Sequence, residues 1–294
     1  MTAGAPKDGP AQTVVAVSET GSTGYEYKLE NAIDSFYQAD WDTTRLLLSE
    51  LQRNNGTDLR LHFFEAMIPF WSYFFGGNNP DDADRFLRQS ATAIEMGDHL
   101  LKSNPQDTSV ILLMGGLHGY RSLVAASERK YRTAISSGIT GYSFTKVLLK
   151  MDDDDPNTLM GQGVFEYMMG SVPREARWIT RIAGISGSMQ EGFDILERAA
   201  ASSGYIRNDA AMFLAYFYEQ QGQLEQAHRH LKNLADRYPD NIIFTYNLAR
   251  ILEMQGNTSQ AITLYEQVAS VRQTPLANLP SKSADRLDAL RENR

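Results

Sequence analysis

Residues 208–240 read NDAAMFLAYFYEQQGQLEQAHRHLKNLADRYPD, and residues 241–272 read NIIFTYNLARILEMQGNTSQAITLYEQVASVR. The second stretch restates the first at a shift of 34 residues: Leu214, Ala215, Gly222 and Ala227 recur as Leu248, Ala249, Gly256 and Ala261, and Leu231 maps to Tyr265. Pro239 closes the first unit. Between Ala210 and Gln221, Met212, Phe213, Ala215, Tyr216 and Phe217 fall at helical spacing, and Gly222 supplies the left-handed residue that ends a helix. A second helix is predicted from Leu224 to about Arg237. Small residues at 215 and 227 let the two antiparallel helices approach closely, while Leu214, Tyr218, Leu224 and Leu231 fill the seam. Asn241–Gln255 and Thr258–Val271 repeat the arrangement, with Gly256 in the turn. One such pair cannot bury its apolar face alone, so further pairs must stack upstream.

Upstream, the helical period begins at Tyr25, where Leu29, Ala32, Ile33, Phe36 and Tyr37 share one face. Leu46, Leu47, Leu48 and Leu51 define a partner helix that stops at Asn54–Gly56. Asp58–Phe75 and Ala83–Lys102 form the next pair across the turn-rich residues 76–81. Thr108–Arg129 is a long apolar helix interrupted by Gly115, Gly116 and Gly119, and each glycine costs about 1 kcal/mol relative to Ala. Close packing of a neighbouring helix is the expected reason, with a ligand at the backbone as the alternative. A helix over Lys130–Met151, an acidic connection over Asp152–Asp155, and helices over Asn157–Gly170 and Met189–Ser202 complete the run. Residues 1–24 have the composition of a flexible tail, residues 25–272 that of a solenoid, and residues 273–294 that of a linker with a short helix over Ala284–Arg291. At 294 residues the chain has room for roughly six helical pairs.

Composition narrows the function. A net charge of −8 with no basic cluster argues against nucleic acid. With no cysteine, disulfides, thiolate metal sites and a cysteine nucleophile are excluded. No run of about 20 apolar residues is evident, and Phe63–Phe75 is too short to span a bilayer. The chain reads as soluble, either cytoplasmic or exported with its signal removed.

The period, the small residues at two matched places, the aromatic or Leu between them and the closing Pro resemble the tetratricopeptide repeat. Gly161 to Tyr167, Pro173, Trp178, Gly184 to Gly187 and Gln190-Glu191-Gly192, followed by Ala199 to Arg207 and Phe213 to Tyr216, add a more specific likeness. They resemble bacterial tetratricopeptide proteins, and also a eukaryotic family of outer-mitochondrial and inclusion-clearance helical-repeat proteins. The likeness runs from about Tyr25 to Val271. It implies an all-α, right-handed solenoid of antiparallel helix hairpins that acts as an adaptor, with no catalytic, cofactor or metal residues to carry over. By analogy with peptide-binding members, Asp209, Met212, Tyr216, Glu219, Tyr246, Arg250 and Glu253 line the concave face. The Lys and Asn clamp for a terminal carboxylate is absent there, which leaves an aromatic, mixed-charge groove suited to an extended or helical protein segment.

Other motifs point less sharply. Arg174, Arg177 and Arg181 lie on one helical face beside Trp178, either as a solvated face or as a secondary docking face for acidic side chains or lipid head groups. His228 and His230 are two apart on a helix and are expected to be solvated; His118, among glycines, is expected to be a satisfied buried imidazole. Asp152–Asp155 lacks the alternation of a calcium loop and is expected to cap a helix. The leading reading is a non-enzymatic scaffold that binds a protein or peptide through its concave face. A peripheral membrane adaptor and an enzyme site at His118 are the alternatives, and self-association through the solenoid ends stays open.

Overall fold

The computed structural model describes residues 19–151, 154–172, 186–276 and 278–292. Among them the chain forms thirteen α-helices and no strand. In order these are α1 (Glu19–Tyr37), α2 (Trp41–Asn54), α3 (Leu59–Phe74), α4 (Pro80–Ser103), α5 (Thr108–Ser127), α6 (Tyr131–Leu149) and α7 (Pro156–Gly170). There follow α8 (Met189–Ala200), α9 (Ile206–Gln220), α10 (Leu224–Arg237), α11 (Ile242–Met254), α12 (Thr258–Ala269) and α13 (Asn278–Glu292). Side-chain caps start many of them: Asp40 accepts from the Thr43 N–H at 3.2 Å, Asp107 from Val110 at 3.1 Å, and Asn241 from Ile243 at 2.9 Å. The matched turn glycines have the conformation the repeat requires, with φ of 69° at Gly222 and 79° at Gly256.

Consecutive helices pack as hairpins and neighbouring hairpins stack, which is the solenoid arrangement. At the α5–α6 crossing the glycines are packing residues. A Cβ on Gly141 would stand 3.0 Å from the Gly119 nitrogen and 3.2 Å from the Gly115 carbonyl oxygen. The α7–α8 crossing is tighter, since a Cβ on Gly192 would meet the Tyr167 nitrogen at 2.5 Å and the Gly163 oxygen at 2.8 Å. Both obstacles are backbone and cannot swing away. Gly192→Ala is therefore expected to destabilise the chain by about 1–3 kcal/mol through overpacking. Urea denaturation would show this as a lower midpoint, and an unchanged midpoint would mean that the crossing yields at no cost.

Two elements extend beyond the sequence reading. Helix α1 starts at Glu19, within the segment expected to be tail, and the Tyr25 hydroxyl ties it to Asp58 at 2.8 Å. Helix α13 starts at Asn278 rather than near Ala284, because Leu279, Ser283 and Leu287 form a buried face. By length and composition α5 can cross a membrane, which corrects the expectation that no such run exists. Its Val110, Met114, Leu117, Tyr120 and Val124 nevertheless face the core.

The feature that positions everything else is closure of the solenoid on itself. Helix α3 is apolar nearly all round, with Met67, Ile68, Phe70, Trp71 and Tyr73 all buried, and such a helix must be enclosed. The C-terminal repeats enclose it. Trp71 meets Phe244 of α11 edge-on at 5.7 Å, while Phe70, Phe74 and Phe75 surround Phe213 of α9 at 6.3, 6.0 and 5.4 Å. Tyr37 of α1 stacks on Tyr205 at 5.7 Å. Polar ties reinforce the seam: the Asn241 and Asn247 amides donate to the Tyr37 and Phe75 carbonyls at 2.8 and 3.0 Å. From α13, Asn278 and Lys282 donate to the Gly76 and Gly77 carbonyls at 2.9 and 2.7 Å. One hydrophobic cluster consequently runs from Phe36 to Leu287.

Candidate functional site

The seven residues expected to line the concave face divide into two groups along α9 and α11. Asp209 and Met212, on the N-terminal half of α9, do not line an open groove. Met212 is only 2% exposed and belongs to the core, because α1 and α3 pack across that half of the helix. Asp209 turns its carboxyl inward, and Oδ2 accepts from the Tyr37 hydroxyl at 2.6 Å. Burial pushes its pKa up to about 7, against the opposing pull of Tyr37 and Trp71. The Trp71 Nε1–H, also buried, reaches no acceptor within hydrogen-bonding geometry.

This carboxyl makes stability depend on pH. The usual Asp pKa is 3.8, so between that value and about 7 the folded chain keeps a proton that the unfolded chain has lost. The contribution is fully present at low pH, falls as pH rises and levels off above about 7. Asp209→Asn preserves an acceptor for Tyr37 but cannot ionise. It is expected to be more stable than the parent chain at pH 8, with the difference vanishing near pH 4, as chemical denaturation at both values would show. A gap of equal size at both pH values would mean that Asp209 is not the titrating group.

Tyr216 and Glu219 on the C-terminal half of α9, with Tyr246, Arg250 and Glu253 on α11, remain half-buried at the mouth of the filled groove. Phe74 of α3 lies 5.0 Å from the Tyr216 ring, and Tyr246 packs on Tyr265 at 5.9 Å. The charges answer one another: Arg250 pairs with Glu219 at 2.5 Å and donates to the Asn247 side chain at 3.1 Å. Glu253 accepts from the Tyr265 hydroxyl at 2.9 Å and pairs with Arg286 of α13. The accessible surface is therefore aromatic, framed by guanidiniums whose orientation is already set.

Arg174, Arg177, Trp178 and Arg181 lie outside the described residues. In the acidic connection Asp155 caps α7, accepting from the Thr158 N–H at 2.9 Å, and Asp154 pairs with Arg198. His118 stacks on Phe144 at 6.0 Å in a close-packed crossing. Its Nδ1 has no partner, contrary to the expected satisfied imidazole, and burial lowers its pKa. His230, expected in solvent, is only 6% exposed; it bonds to Glu197 at 3.0 Å and stacks on Tyr218. The signal was present in the sequence, because Ala227, His230, Leu231 and Leu234 share the buried face of α10.

Residues 156–276 match the family model described as Iml2/Tetratricopeptide repeat protein 39. The match spans the glycine-flanked segment from Gly161 and both units of the repeat, 208–240 and 241–272. Among solved structures, the chain is similar to a tetratricopeptide repeat protein from Parabacteroides merdae ATCC 43184 at 15% identity, over 91% of this chain and 89% of that chain, with a TM-score of 0.36. Over residues 156–276 the chain is thus built of helical repeats similar to those of that family.

Proposed function

We propose that this chain is a non-enzymatic scaffold that holds a segment of a partner protein at the mouth formed by Phe74, Tyr216, Tyr246 and Arg250. The supporting observation is the division of the groove. Helix α3 fills its depth, and half-buried aromatic side chains remain at the opening beside an Arg250 already oriented by Glu219 and Asn247. Aromatic rings and oriented guanidiniums are the side chains that most often carry binding energy at protein interfaces. Family resemblance supports the same class, since tetratricopeptide-type repeats serve generally as protein-binding modules.

The test is a photo-crosslinking amino acid placed at Tyr246, with a second placed at Tyr27, which is 66% exposed on α1. In the source cell, position 246 is expected to give discrete protein adducts and position 27 none. Adding Tyr216→Ala and Arg250→Ala should remove the adducts while leaving helicity intact. Adducts that persist in the double variant, or that form equally from position 27, would move the interface away from this mouth.

A further inference from the structure

Helices α8, α9 and α10 border a half-open pocket of about 240 Å³ that the scaffold reading does not use, with Arg229 and Arg237 exposed at its rim. Arg207, Arg229, Arg237, His230 and Glu197 line it over an apolar floor that includes Ala211. Arg207 lies in the first turn of α9, roughly 18 Å along the helix from Glu219 at the mouth. Glu197 Oε1 already accepts three bonds, from the Tyr218 hydroxyl at 3.0 Å, from Arg229 at 2.6 Å and from His230 Nε2 at 3.0 Å.

Among the described residues, no carboxylate pairs with the other two guanidiniums. Arg237 donates to the Asn208 side chain at 2.8 Å, and Arg207 Nε is buried with no hydrogen-bond partner. Burial and the charge on Arg207 together hold Arg237 below its usual pKa. Like charges placed side by side around a buried unpaired donor destabilise the empty pocket, and an anion would reverse that effect.

We propose that this pocket binds a phosphate monoester or free phosphate through Arg207 and Arg237. Counting the arginines and Glu197 alone, three guanidiniums against one carboxylate give a formal charge of +2. A phosphate group carries about −1.5 to −2 at pH 7, whereas a single carboxylate would leave one cation uncompensated. The guanidinium fork also matches phosphate oxygens two at a time.

Isothermal titration of the whole chain at constant ionic strength tests the assignment, with inorganic phosphate, O-phospho-L-serine and acetate as probes. Saturable one-site binding is expected for a phosphate-bearing probe and not for acetate. Arg207→Ala and Arg237→Ala should each weaken it at least tenfold, with Lys232→Ala on the same α10 as an unaffected control. Arg207→Ala should melt, without phosphate, at or above the temperature of the parent chain, because it removes a buried donor that has no partner, and this separates lost binding from lost fold. Tighter binding of phosphoserine would assign the site to a phosphorylated side chain, and tighter binding of phosphate to the free ion. The proposal is overturned if neither phosphate probe saturates, if acetate binds equally well, or if the arginine variants bind like the Lys232 control.

Discussion

Phe213→Ala is expected to destabilise the chain by about 3–5 kcal/mol, the range for deleting a buried aromatic ring. Phe213 has no accessible surface and lies among Phe70, Phe74 and Phe75 around α3, Tyr120 of α5 and Phe217 of its own helix. Its ring is therefore a contact between sequence-distant hairpins rather than within one repeat. In an open solenoid such a loss stays local, because each repeat touches only its neighbours. Here the cavity opens at the junction of both halves, so the damage should spread to both. Urea unfolding followed by tryptophan fluorescence and by far-ultraviolet circular dichroism should show one transition, displaced equally in both signals. A loss under about 1 kcal/mol would show that the site collapses around the deletion, against the usual range for buried rings.

Asn241→Ala is expected to cost about 2–4 kcal/mol, because one side chain performs two tasks. Its Oδ1 caps α11, accepting from Ile243 at 2.9 Å and Phe244 at 3.4 Å, while Nδ2 donates to the Tyr37 carbonyl at 2.8 Å. Truncation leaves helix N–H groups and a buried carbonyl unsatisfied together, at a residue only 1% exposed. Hydrogen exchange should then quicken in α1 and α2 as well as in the first turn of α11. Faster exchange confined to α11 would reduce Asn241 to a local cap. Asn241→Asp, which retains the cap but cannot donate to Tyr37, separates the two contributions.

The repeat was legible because its constraints are local. Small residues where helices touch and glycine where φ must be positive recur at one period, and they place α10 at Leu224–Arg237 as expected. The neighbouring helices agree to within a few residues, as with Ile242–Met254 against Asn241–Gln255. Closure was not legible, since the residues that make it lie far apart in sequence and follow no period. Asn241 meets Tyr37 across 204 positions, and Asp209 meets Tyr37 across 172. One clue was available: a helix such as α3, apolar on nearly every face, needs neighbours on every side. Nothing in Phe63–Phe75 says which helices surround it. The same gap explains Met212, which looks groove-facing by repeat analogy and becomes core once α3 occupies the groove. The phosphate-sized pocket escaped notice for a related reason. Arg207 and Arg237 look like ordinary surface cations until the fold places them on one cavity whose lining carboxylate, Glu197, is bonded to Arg229 and His230.

The chain contains no cysteine, so spin labels can be placed at two chosen sites without competing thiols. Asp81, at the start of α4, and Ser281, in α13, are both exposed beside the Lys282–Gly77 tie. Double electron–electron resonance between labels at Asp81→Cys and Ser281→Cys measures whether the two ends of the solenoid meet. Closure predicts a single narrow distribution at short distance, retained after Tyr216→Ala and broadened by Asn241→Ala. A broad distribution at long distance in the otherwise unaltered chain would show an open superhelix and contradict the account that α3 fills the concave face.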